Sequence, residues 1–306
     1  MKALVTGATG LVGRTLVREL EGAAVLGRDP ARARAKLGNV EAFAWQPQAG
    51  PPPAEAFSGI DVVVHLAGEP VAEGRWTADK KRAIRESRVQ GTRNLVNALE
   101  SLEKRPAVLV AASAVGYYGD RGDEALFEDS APASTFLSEV CVAWEAEALR
   151  AHRLGIRVVT ARVGIVLAPD GGALSRMLPP FRMGLGGHLG SGCQWMPWVH
   201  VDDVVGLLLH AAATEKVSGP MNVVSPNPVT NRVFTKALGQ ALRRPALLPV
   251  PRLGLRAALG EMSQILVDSQ RALPKVAQDT GYRFRFEELR PAIEACLGRG
   301  PGTPTN

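Results

Sequence analysis

The stretch VTGATGLVGRTL, residues 5–16, joins a short apolar run to an amphipathic one and decides the fold. Its glycines, Gly7, Gly10 and Gly13, have the spacing G-x-x-G-x-x-G between a predicted strand and a predicted helix. Glycines at such a junction permit a tight turn and let a pyrophosphate approach the backbone, while the helix offers free N–H groups. The stretch therefore predicts a nucleotide-binding turn, and the alternative is a glycine turn that serves packing alone.

Short valine-rich runs recur downstream, each too brief for a free-standing helix: DVVVHLAG (61–68), AVLVAAS (107–113) and IRVVTARVG (156–164). Their hydrophobicity is unbroken rather than alternating, which is typical of parallel strands covered on both faces. Amphipathic segments lie between them. The pattern predicts an α/β fold with a Rossmann-like, doubly wound parallel sheet.

After residue 167 the pattern changes, and a glycine-dense segment, GLGGHLGSG, occupies residues 184–192. We expect a smaller, discontinuous C-terminal substrate domain there. The glycine-dense segment is expected to be a mobile lid over the substrate, and the alternative is a static packing loop. The predicted division assigns residues 1–167 and 196–224 to the NADP-binding Rossmann domain, 168–195 and 225–298 to the substrate domain, and 299–306 to a disordered tail.

Composition narrows the classes of function. The chain has 306 residues, a net charge of +6 and 5% aromatic residues, with no block of five or more like charges, which argues against nucleic-acid binding. The apolar run at 204–213 is about half of the roughly 20 residues that a membrane span requires. The three cysteines are widely separated and lack metal-ligand spacing. We expect a cytoplasmic protein without membrane or metal partners; the oligomeric state stays open, and a homodimer is one option.

The sequence VLGRDP, residues 25–30, addresses which dinucleotide binds. Just after the second strand of such folds, an acid binds the ribose hydroxyls of NAD, whereas an arginine accepts the 2′-phosphate of NADP. Arg28 stands at this point, and its planar guanidinium suits a phosphate. Asp29 precedes Pro30 and is better placed as a helix cap. The segment favours NADP over NAD; the alternative is that Arg28 is a solvated surface charge.

Several motifs together resemble the extended short-chain dehydrogenase/reductases: TGATGLVG (6–13), HLAG (65–68) and SAVGYYG (113–119). A narrower resemblance, to the "epimerase family" branch of atypical members, spans nearly the whole chain. It rests on RWTADKKRAIRESRVQGTRNLV (75–96), MPWVHVDDVV (196–205), GPMNVVSPNPVTN (219–231) and LGEMSQILVDSQRALP (259–274).

The resemblance implies a catalytic serine after the fifth strand, followed by a tyrosine and a lysine one helical turn apart. In that family the tyrosine exchanges a proton with the substrate, the lysine lowers the tyrosine pKa and holds the nicotinamide ribose, and the serine orients the carbonyl. Ser113 matches the serine. Aligning Glu145 with the glutamate that usually follows the lysine puts Leu137 and Cys141 at the tyrosine and lysine positions. The usual pair is therefore missing.

Tyr117 and Tyr118 follow the serine closely and are the candidate proton donors, Tyr117 being preferred. The alternative is that both tyrosines shape the turn. Arg88 takes a position that the family usually gives to asparagine. It either supplies positive charge near the nicotinamide, or it caps a helix or neutralises Glu86. The residues expected to contact the cofactor are Gly7, Thr9, Gly10, Leu11, Val12, Gly13, Arg28, Leu66, Ala67, Gly68, Glu69, Arg88 and Arg162.

Other polar residues favour structural roles. Glu69 lies in the expected cleft, where a carboxylate can act as an acid or base, but a cap or surface charge is the more ordinary role for it. His65, inside an apolar run, is expected to be a hydrogen-bonded core residue. Asp202 and Asp203 precede an apolar helical stretch and are predicted to cap it.

Two functions fit these residues. The first is an NADP-dependent oxidoreductase or epimerase-like enzyme that acts on a small polar metabolite or nucleotide sugar without the usual Tyr-x-x-x-Lys pair. The second is a non-catalytic NADP-binding sensor or regulatory protein, which the cell-division-inhibitor-like names used in this branch would suit. The missing pair favours the second, and a substrate cleft with its glycine lid favours the first.

Overall fold

The computed structural model describes residues 1–299, so residues 300–306, nearly all of the predicted tail, lie outside the described residues. Seven parallel strands form one sheet in the order β11-β7-β5-β4-β1-β2-β3. The strands are β1 (Ala3–Thr6), β2 (Ala24–Gly27), β3 (Glu41–Ala44), β4 (Val62–His65), β5 (Val108–Ala114), β6 (Ala125–Leu126), β7 (Arg157–Val163), β8 (Ile165–Ala168), β9 (Trp195–Met196), β10 (Trp198–His200), β11 (Gly219–Val223), β12 (Val229–Thr230) and β13 (Arg271–Ala272).

Eleven α-helices accompany these strands within residues 1–299. They are α1 (Leu11–Glu19), α2 (Pro30–Leu37), α3 (Ala78–Glu100), α4 (Phe136–Leu149), α5 (Gly172–Arg182), α6 (Val201–Ala213), α7 (Asn231–Leu242), α8 (Arg252–Leu259), α9 (Gln264–Val267), α10 (Lys275–Asp279) and α11 (Leu289–Cys296). No helix in this part of the chain has both the length and the apolar character that crossing a bilayer demands.

The order of the strands confirms the predicted Rossmann-like, doubly wound sheet. From β1 the chain proceeds outward through β2 and β3, then returns to β4 on the other side of β1 and continues through β5 and β7. The direction of winding therefore reverses between β1 and β4. In open parallel sheets, ligands bind outside the carboxyl ends of the strands at such a reversal.

Both faces of the sheet are covered, which explains the unbroken apolar runs. On one face Val5 packs in a cluster with Leu16 of α1 and Leu208 of α6. On the other face Leu4 packs with Leu95 of α3. These five side chains are fully buried. Because successive strand residues point to opposite faces, both parities must be apolar when helices cover both sides.

A separate apolar cluster forms around Trp198 and Phe234, with contributions from α5, α7 and α11. Most of it comes from segments that the sequence assigns to the substrate domain. Segment 275–284 differs, since Ala277 of α10 is buried in the cluster of the large sheet. Strand β8 leaves the seven-stranded sheet and pairs in parallel with β10. The second cluster therefore lies beside the β8–β10 pair, outside the seven-stranded sheet.

The glycine-dense segment 184–192 makes close backbone contacts with residues 248–250. The Gly190 N–H donates to the Val250 carbonyl at 2.9 Å, and the Leu248 N–H donates to the Gly186 carbonyl at 3.1 Å. A β-carbon on Gly187 would overlap the Leu248 carbonyl oxygen. These glycines are explained by close approach of two backbones.

The start of α6 also corrects an expectation. Its N-cap is His200, whose Nδ1 accepts the Asp202 N–H at 3.2 Å, rather than either aspartate. Asp203 is completely buried and accepts the backbone N–H groups of Arg285 at 2.8 Å and Phe286 at 2.9 Å. The Asp203 carboxylate therefore fastens the segment that precedes α11 to the sheet side of the molecule.

Candidate active site

The turn between β1 and α1 has the geometry of a phosphate cradle. Gly7 has a φ of +66°, and the Gly10 N–H closes the turn by donating to the Gly7 carbonyl at 3.0 Å. A β-carbon on Gly13 would lie 2.7 Å from the Ala8 α-carbon, so only glycine lets α1 pack this closely. Thr9 and Gly10 are exposed.

The N-terminus of α1 carries free donors at this turn. Its N-cap, Gly10, has no side chain, and the first turn of the helix contains no acidic residue. The N–H groups of Leu11 and Val12 have no acceptor among the described residues. Free N–H groups and the positive end of a helix dipole together attract an anion.

Arg28 follows β2 at the same edge of the sheet. It is exposed, and within residues 1–299 no carboxylate lies within salt-bridge distance of it. Asp29 caps α2, since its carboxylate accepts the Arg32 N–H at 2.9 Å and Pro30 opens the helix. The guanidinium of Arg28 is therefore available, whereas the neighbouring acid is engaged in the cap that the sequence predicts.

The turn after β4 packs directly on the glycine turn. The N–H groups of Leu66 and Ala67 both donate to Thr6 Oγ1 at 3.1 Å. A β-carbon on Gly7 would lie 2.7 Å from the Leu66 carbonyl carbon. Gly68 is exposed at the end of this turn. The structure thus places the two glycine-containing segments of the predicted cofactor site side by side.

His65 lies below this turn and is fully buried. Its ring nitrogens lie 2.7 Å from Thr6 Oγ1 and 3.0 Å from Thr92 Oγ1. Burial lowers its pKa to about 4. The imidazole is therefore neutral and satisfied at neutral pH, which is the behaviour of a core residue.

The side chain and the backbone of Glu69 bind different residues of α3. Its carboxylate accepts a hydrogen bond from Lys80 Nζ at 2.7 Å, so the acid is paired with a cation of α3. Its backbone carbonyl accepts from Arg88 Nη1 at 2.9 Å. Glu69 therefore fixes the start of α3 against the β4 turn by both its side chain and its backbone.

Ser113 ends β5 inside a buried network. Its hydroxyl donates to Glu145 Oε1 at 2.6 Å. Arg162 grips the same carboxylate at two points, with Nε 2.8 Å from Oε1 and Nη2 2.9 Å from Oε2. Although burial disfavours the charged guanidinium, its bonds to Glu145 raise the pKa of Arg162. Because a carboxylate only accepts, the Ser113 proton is committed to Glu145, and the serine offers lone pairs to a ligand.

The two tyrosines after Ser113 have different surroundings. Tyr118 is fully buried, donates to Asn222 Oδ1 at 2.7 Å and accepts from Arg162 Nη1 at 3.0 Å. Burial raises the pKa of Tyr118 to about 12. Tyr117 is partly exposed, and its hydroxyl has no hydrogen-bond partner among residues 1–299. The Arg162 guanidinium lies 3.5 Å from the centre of the Tyr117 ring. Of these two tyrosines, Tyr117 is the one whose phenol is free within the described part of the chain.

The α4 positions expected to carry the tyrosine and lysine are apolar in character. The Leu137 side chain lies against Gly116, where an added β-carbon would be 3.4 Å from Leu137 Cβ. Cys141 is buried, with Sγ 3.7 Å from the Ala114 carbonyl oxygen. Burial raises the pKa of the Cys141 thiol to about 11. Neither side chain supplies a phenol or a cation.

Arg88 of α3 lies between the β4 turn and α4. Besides the Glu69 carbonyl, Nη1 reaches the Ile84 carbonyl at 3.2 Å. Its guanidinium carbon is 5.1 Å from the centre of the Trp144 ring. A β-carbon on Gly68 would lie 3.2 Å from the same guanidinium carbon. The side chain is therefore layered between the exposed glycine of the β4 turn and the indole of α4.

An open cavity of about 310 Å³ lies near the loop after Tyr118. Polar and apolar surface contribute about equally to its walls. Asp123, one of its polar residues, also accepts the Trp195 indole N–H at 2.7 Å. Residues lining it are Asp120, Gly122, Asp123, Gly190, Ser191, Cys193, Gln194, Arg252, Val267 and Ser269. In the part of the chain that the structure describes, no three His, Cys, Asp or Glu side chains are grouped to hold a metal ion.

The structure brings the predicted Gly7–Gly13 turn, the Leu66–Glu69 turn, Ser113, Tyr117 and Arg88 to the carboxyl edge of the sheet. Arg162 lies within the buried network beneath Tyr117. The sequence did not indicate its partner Glu145 as part of the site. The two residues are 17 positions apart on different elements, so no local spacing pairs them.

The comparisons agree with this architecture. The model of the NAD dependent epimerase/dehydratase family matches residues 3–225, and a domain of unknown function, DUF1731, matches residues 250–296. The chain is 38% identical to the chloroplastic epimerase family protein SDR39U1 homolog of Arabidopsis thaliana, over 97% of this chain and 87% of that protein.

Two solved structures are similar. The human epimerase family protein SDR39U1, crystallised with NADPH, has a TM-score of 0.86 and 32% identity over 97% of this chain and 99% of that one. A nucleoside-diphosphate sugar epimerase from Corynebacterium glutamicum has a TM-score of 0.73 and 32% identity over 98% of this chain and 59% of that one. As its sequence motifs predicted, the chain belongs to the NAD dependent epimerase/dehydratase family.

Proposed function

We propose that this protein is an NADP-dependent oxidoreductase or epimerase-like enzyme that acts on a small polar metabolite or a nucleotide sugar. The observation that carries the proposal is the uncapped N-terminus of α1, which lies at the same sheet edge as the unpaired Arg28. The human relative crystallised with NADPH supports it. When bound, NADP would supply or accept hydride, and the protein's own residues would position and protonate the substrate.

The cradle residues fit the dinucleotide physically. The exposed Gly10 and the free amides of Leu11 and Val12 would hold the pyrophosphate, because backbone N–H groups at a helix N-terminus bind phosphate. Arg28 would bind the 2′-phosphate with paired N–H donors. We extend the proposal to the predicted contacts of Thr9 and the Leu66–Glu69 turn. Arg162 is buried beneath Tyr117, so it would act through that ring rather than by the direct cofactor contact that the sequence predicts.

Tyr117 and Ser113 are the proposed catalytic residues. The free phenol of Tyr117 would give a proton to the substrate oxygen, and in the reverse direction its phenolate would take that proton back. Ser113, with its own proton bound to Glu145, would accept a hydrogen bond from a hydroxyl of the substrate. This differs from the carbonyl-orienting role that the family resemblance implies. Arg162 and Glu145 are positioning residues, since they hold the ring of Tyr117 and the hydroxyl of Ser113.

The proposed substrate class rests on two supports. The cavity of about 310 Å³ is lined by two carboxylates, two serine hydroxyls, an amide and a guanidinium, which suits a small polar ligand. The similar Corynebacterium glutamicum structure is called a nucleoside-diphosphate sugar epimerase, which supports the sugar option. The proposal places the protein in the cytoplasm, where free thiols such as its three cysteines are typical. Size-exclusion chromatography with light scattering would test the homodimer.

Calorimetry with NADPH and NADH tests cofactor choice. We expect wild-type protein to prefer NADPH, and Arg28→Ala to weaken NADPH binding by roughly 10- to 100-fold while leaving NADH unchanged, because charged hydrogen bonds contribute about 1.5–3 kcal/mol. Lys36→Ala removes a nearby exposed charge, on α2, and serves as the control. Equal losses in both variants, or no binding of either coenzyme, would contradict the proposal.

Turnover distinguishes an enzyme from the alternative, a non-catalytic NADP-binding sensor or regulator linked to cell division. The apolar Leu137 and Cys141 on α4 favour that alternative. NADPH absorbance is followed with a panel of carbonyls, enones and nucleotide sugars, and product analysis by NMR detects redox-neutral epimerisation. Turnover lost in Tyr117→Phe supports the enzyme. NADPH binding without any product across the panel supports the sensor.

A further inference from the structure

We infer that Arg88 replaces the absent lysine from a different helix, and that its charge makes the protein bind NADPH more tightly than NADP⁺. The inference rests on the proposed function, since it presumes that the dinucleotide occupies the carboxyl edge of the sheet. It adds a residue that makes the affinity for the cofactor depend on its oxidation state. It also identifies a cation that takes the place of the lysine absent from α4, where Leu137 and Cys141 stand.

Arg88 has unused hydrogen-bonding capacity. Its only hydrogen bonds among residues 1–299 are those of Nη1 to the carbonyls of Glu69 and Ile84. Nε and Nη2 have no acceptor there, and Nη2 faces Gly68, where an added β-carbon would lie 3.3 Å from it. A guanidinium has five donors in a fixed plane. The unused ones lie beside the exposed glycine of the β4 turn.

The charge of Arg88 is also unpaired. The nearest acid along this turn, Glu69, gives its carboxylate to Lys80, and Arg88 forms no salt bridge within the described chain. Desolvation by burial lowers the pKa of Arg88. The side chain is only partly buried, and its free nitrogens are not among the buried atoms that lack a partner within residues 1–299. A ligand rich in oxygen would satisfy them.

The position of Arg88 corresponds to the nicotinamide half of the site. Arg28 stands after β2, on one side of the winding reversal, so the adenosine end belongs there. The opposite end must extend over β4 and β5 towards Ser113. Arg88 lies on that side, against Gly68 after β4 and against Trp144, one turn beyond Cys141 on α4. Burial raises the pKa of the Cys141 thiol, and the nearby charge of Arg88 lowers it. The guanidinium is therefore close to Cys141.

The chemistry of the cofactor makes the charge consequential. The nicotinamide ring is cationic when oxidised and neutral when reduced, so a fixed positive charge nearby repels only the oxidised form. The planar N–H groups also suit the hydroxyl oxygens of the ribose. A guanidinium stays protonated at all accessible pH values, whereas a lysine at the same place would lose its charge in alkali.

The test measures the dissociation constants of NADP⁺ and NADPH by calorimetry. In the wild type, we expect the dissociation constant of NADP⁺ to exceed that of NADPH. For Arg88→Met, which keeps a long side chain between Gly68 and Trp144, the ratio of the NADP⁺ constant to the NADPH constant should fall by about tenfold. Arg88→Lys should retain the ratio at pH 7. Arg85→Met, which removes an exposed charge from the same helix, is the matched control and should leave the ratio unchanged.

A wild-type ratio in Arg88→Met, with both coenzymes still bound, would overturn the inference while leaving the proposed function intact. Failure of the wild-type protein to bind either coenzyme would instead refute the proposed function. If circular dichroism shows that Arg88→Met does not fold, Arg88→Gln decides, because its amide can still donate to the Glu69 carbonyl but has no charge. The same fall in the ratio is expected for it.

Discussion

Replacing Glu145 with alanine should destabilise the protein strongly, because it leaves the guanidinium of Arg162 buried without its anion. The two side chains are 8% and 4% exposed, and the pair has two charged hydrogen bonds, with a third bond from Ser113. Removing one partner of a buried ion pair costs about 3–5 kcal/mol. With an unfolding entropy of about 2.1 cal/mol/K per residue, this lowers Tm by roughly 5 to 8 °C.

Thermal unfolding followed by circular dichroism, with urea unfolding in parallel, measures the loss. The matched control is Glu147→Ala, two residues along the same helix, because Glu147 also binds two arginines, Arg93 and Arg150. Those arginines are 45% and 37% exposed, so this network is worth only about 0–1 kcal/mol. If both substitutions lower Tm equally, the buried Glu145–Arg162 pair does not stabilise the protein more than the exposed network does.

Three further predictions concern burial. Burial lowers the pKa of His65 from 6.5 to about 4, so its contribution to stability is full above pH 6.5 and is lost as the pH falls to about 4. The loss is at most roughly 3 kcal/mol. His65→Gln should remove this part of the pH dependence of the free energy of unfolding, measured with urea. Only the exposed Cys193 should react rapidly with a thiol reagent at pH 8, because burial raises the pKa of Cys141 to about 11 and of Cys296 to about 12; Cys193→Ser should abolish the fast phase, and a persisting fast phase would contradict this burial. Gly13→Ala should abolish NADPH binding in calorimetry and lower Tm, since its β-carbon overlaps the backbone of the glycine turn, and normal binding would show that the turn can shift.

The sequence predicted the features that depend on neighbours along the chain. The glycine spacing between β1 and α1, the valine runs of the parallel strands and the cap formed by Asp29 each arise within a few residues. Local rules of turn geometry, face-to-face burial and capping therefore suffice for them. The same holds for Arg28, whose place after β2 follows from the strand that precedes it.

Predictions that required a partner were less complete. Asp202 and Asp203 look like caps from their place before α6, but the cap is His200, and Asp203 binds backbone N–H groups about 80 residues later. Five glycines within 184–192 look like a flexible lid, but part of their sequence preference comes from the backbone of residues 248–250. Glycine composition alone does not distinguish mobility from close packing.

The sequence by itself determined the doubly wound sheet, the nucleotide turn and the absence of a tyrosine and lysine on α4, because periodicity, turn chemistry and residue identity are written locally. Only the tertiary structure decided that Glu145 holds Ser113 and Arg162 together, that Tyr117 rather than Tyr118 keeps a free phenol, and that Arg88 reaches the β4 turn. These outcomes depend on which side chains meet when α3, α4 and β7 pack against one another. A buried charge pairs with an opposite charge that lies near it in the folded protein. That distance cannot be read from how far apart the two residues are along the chain.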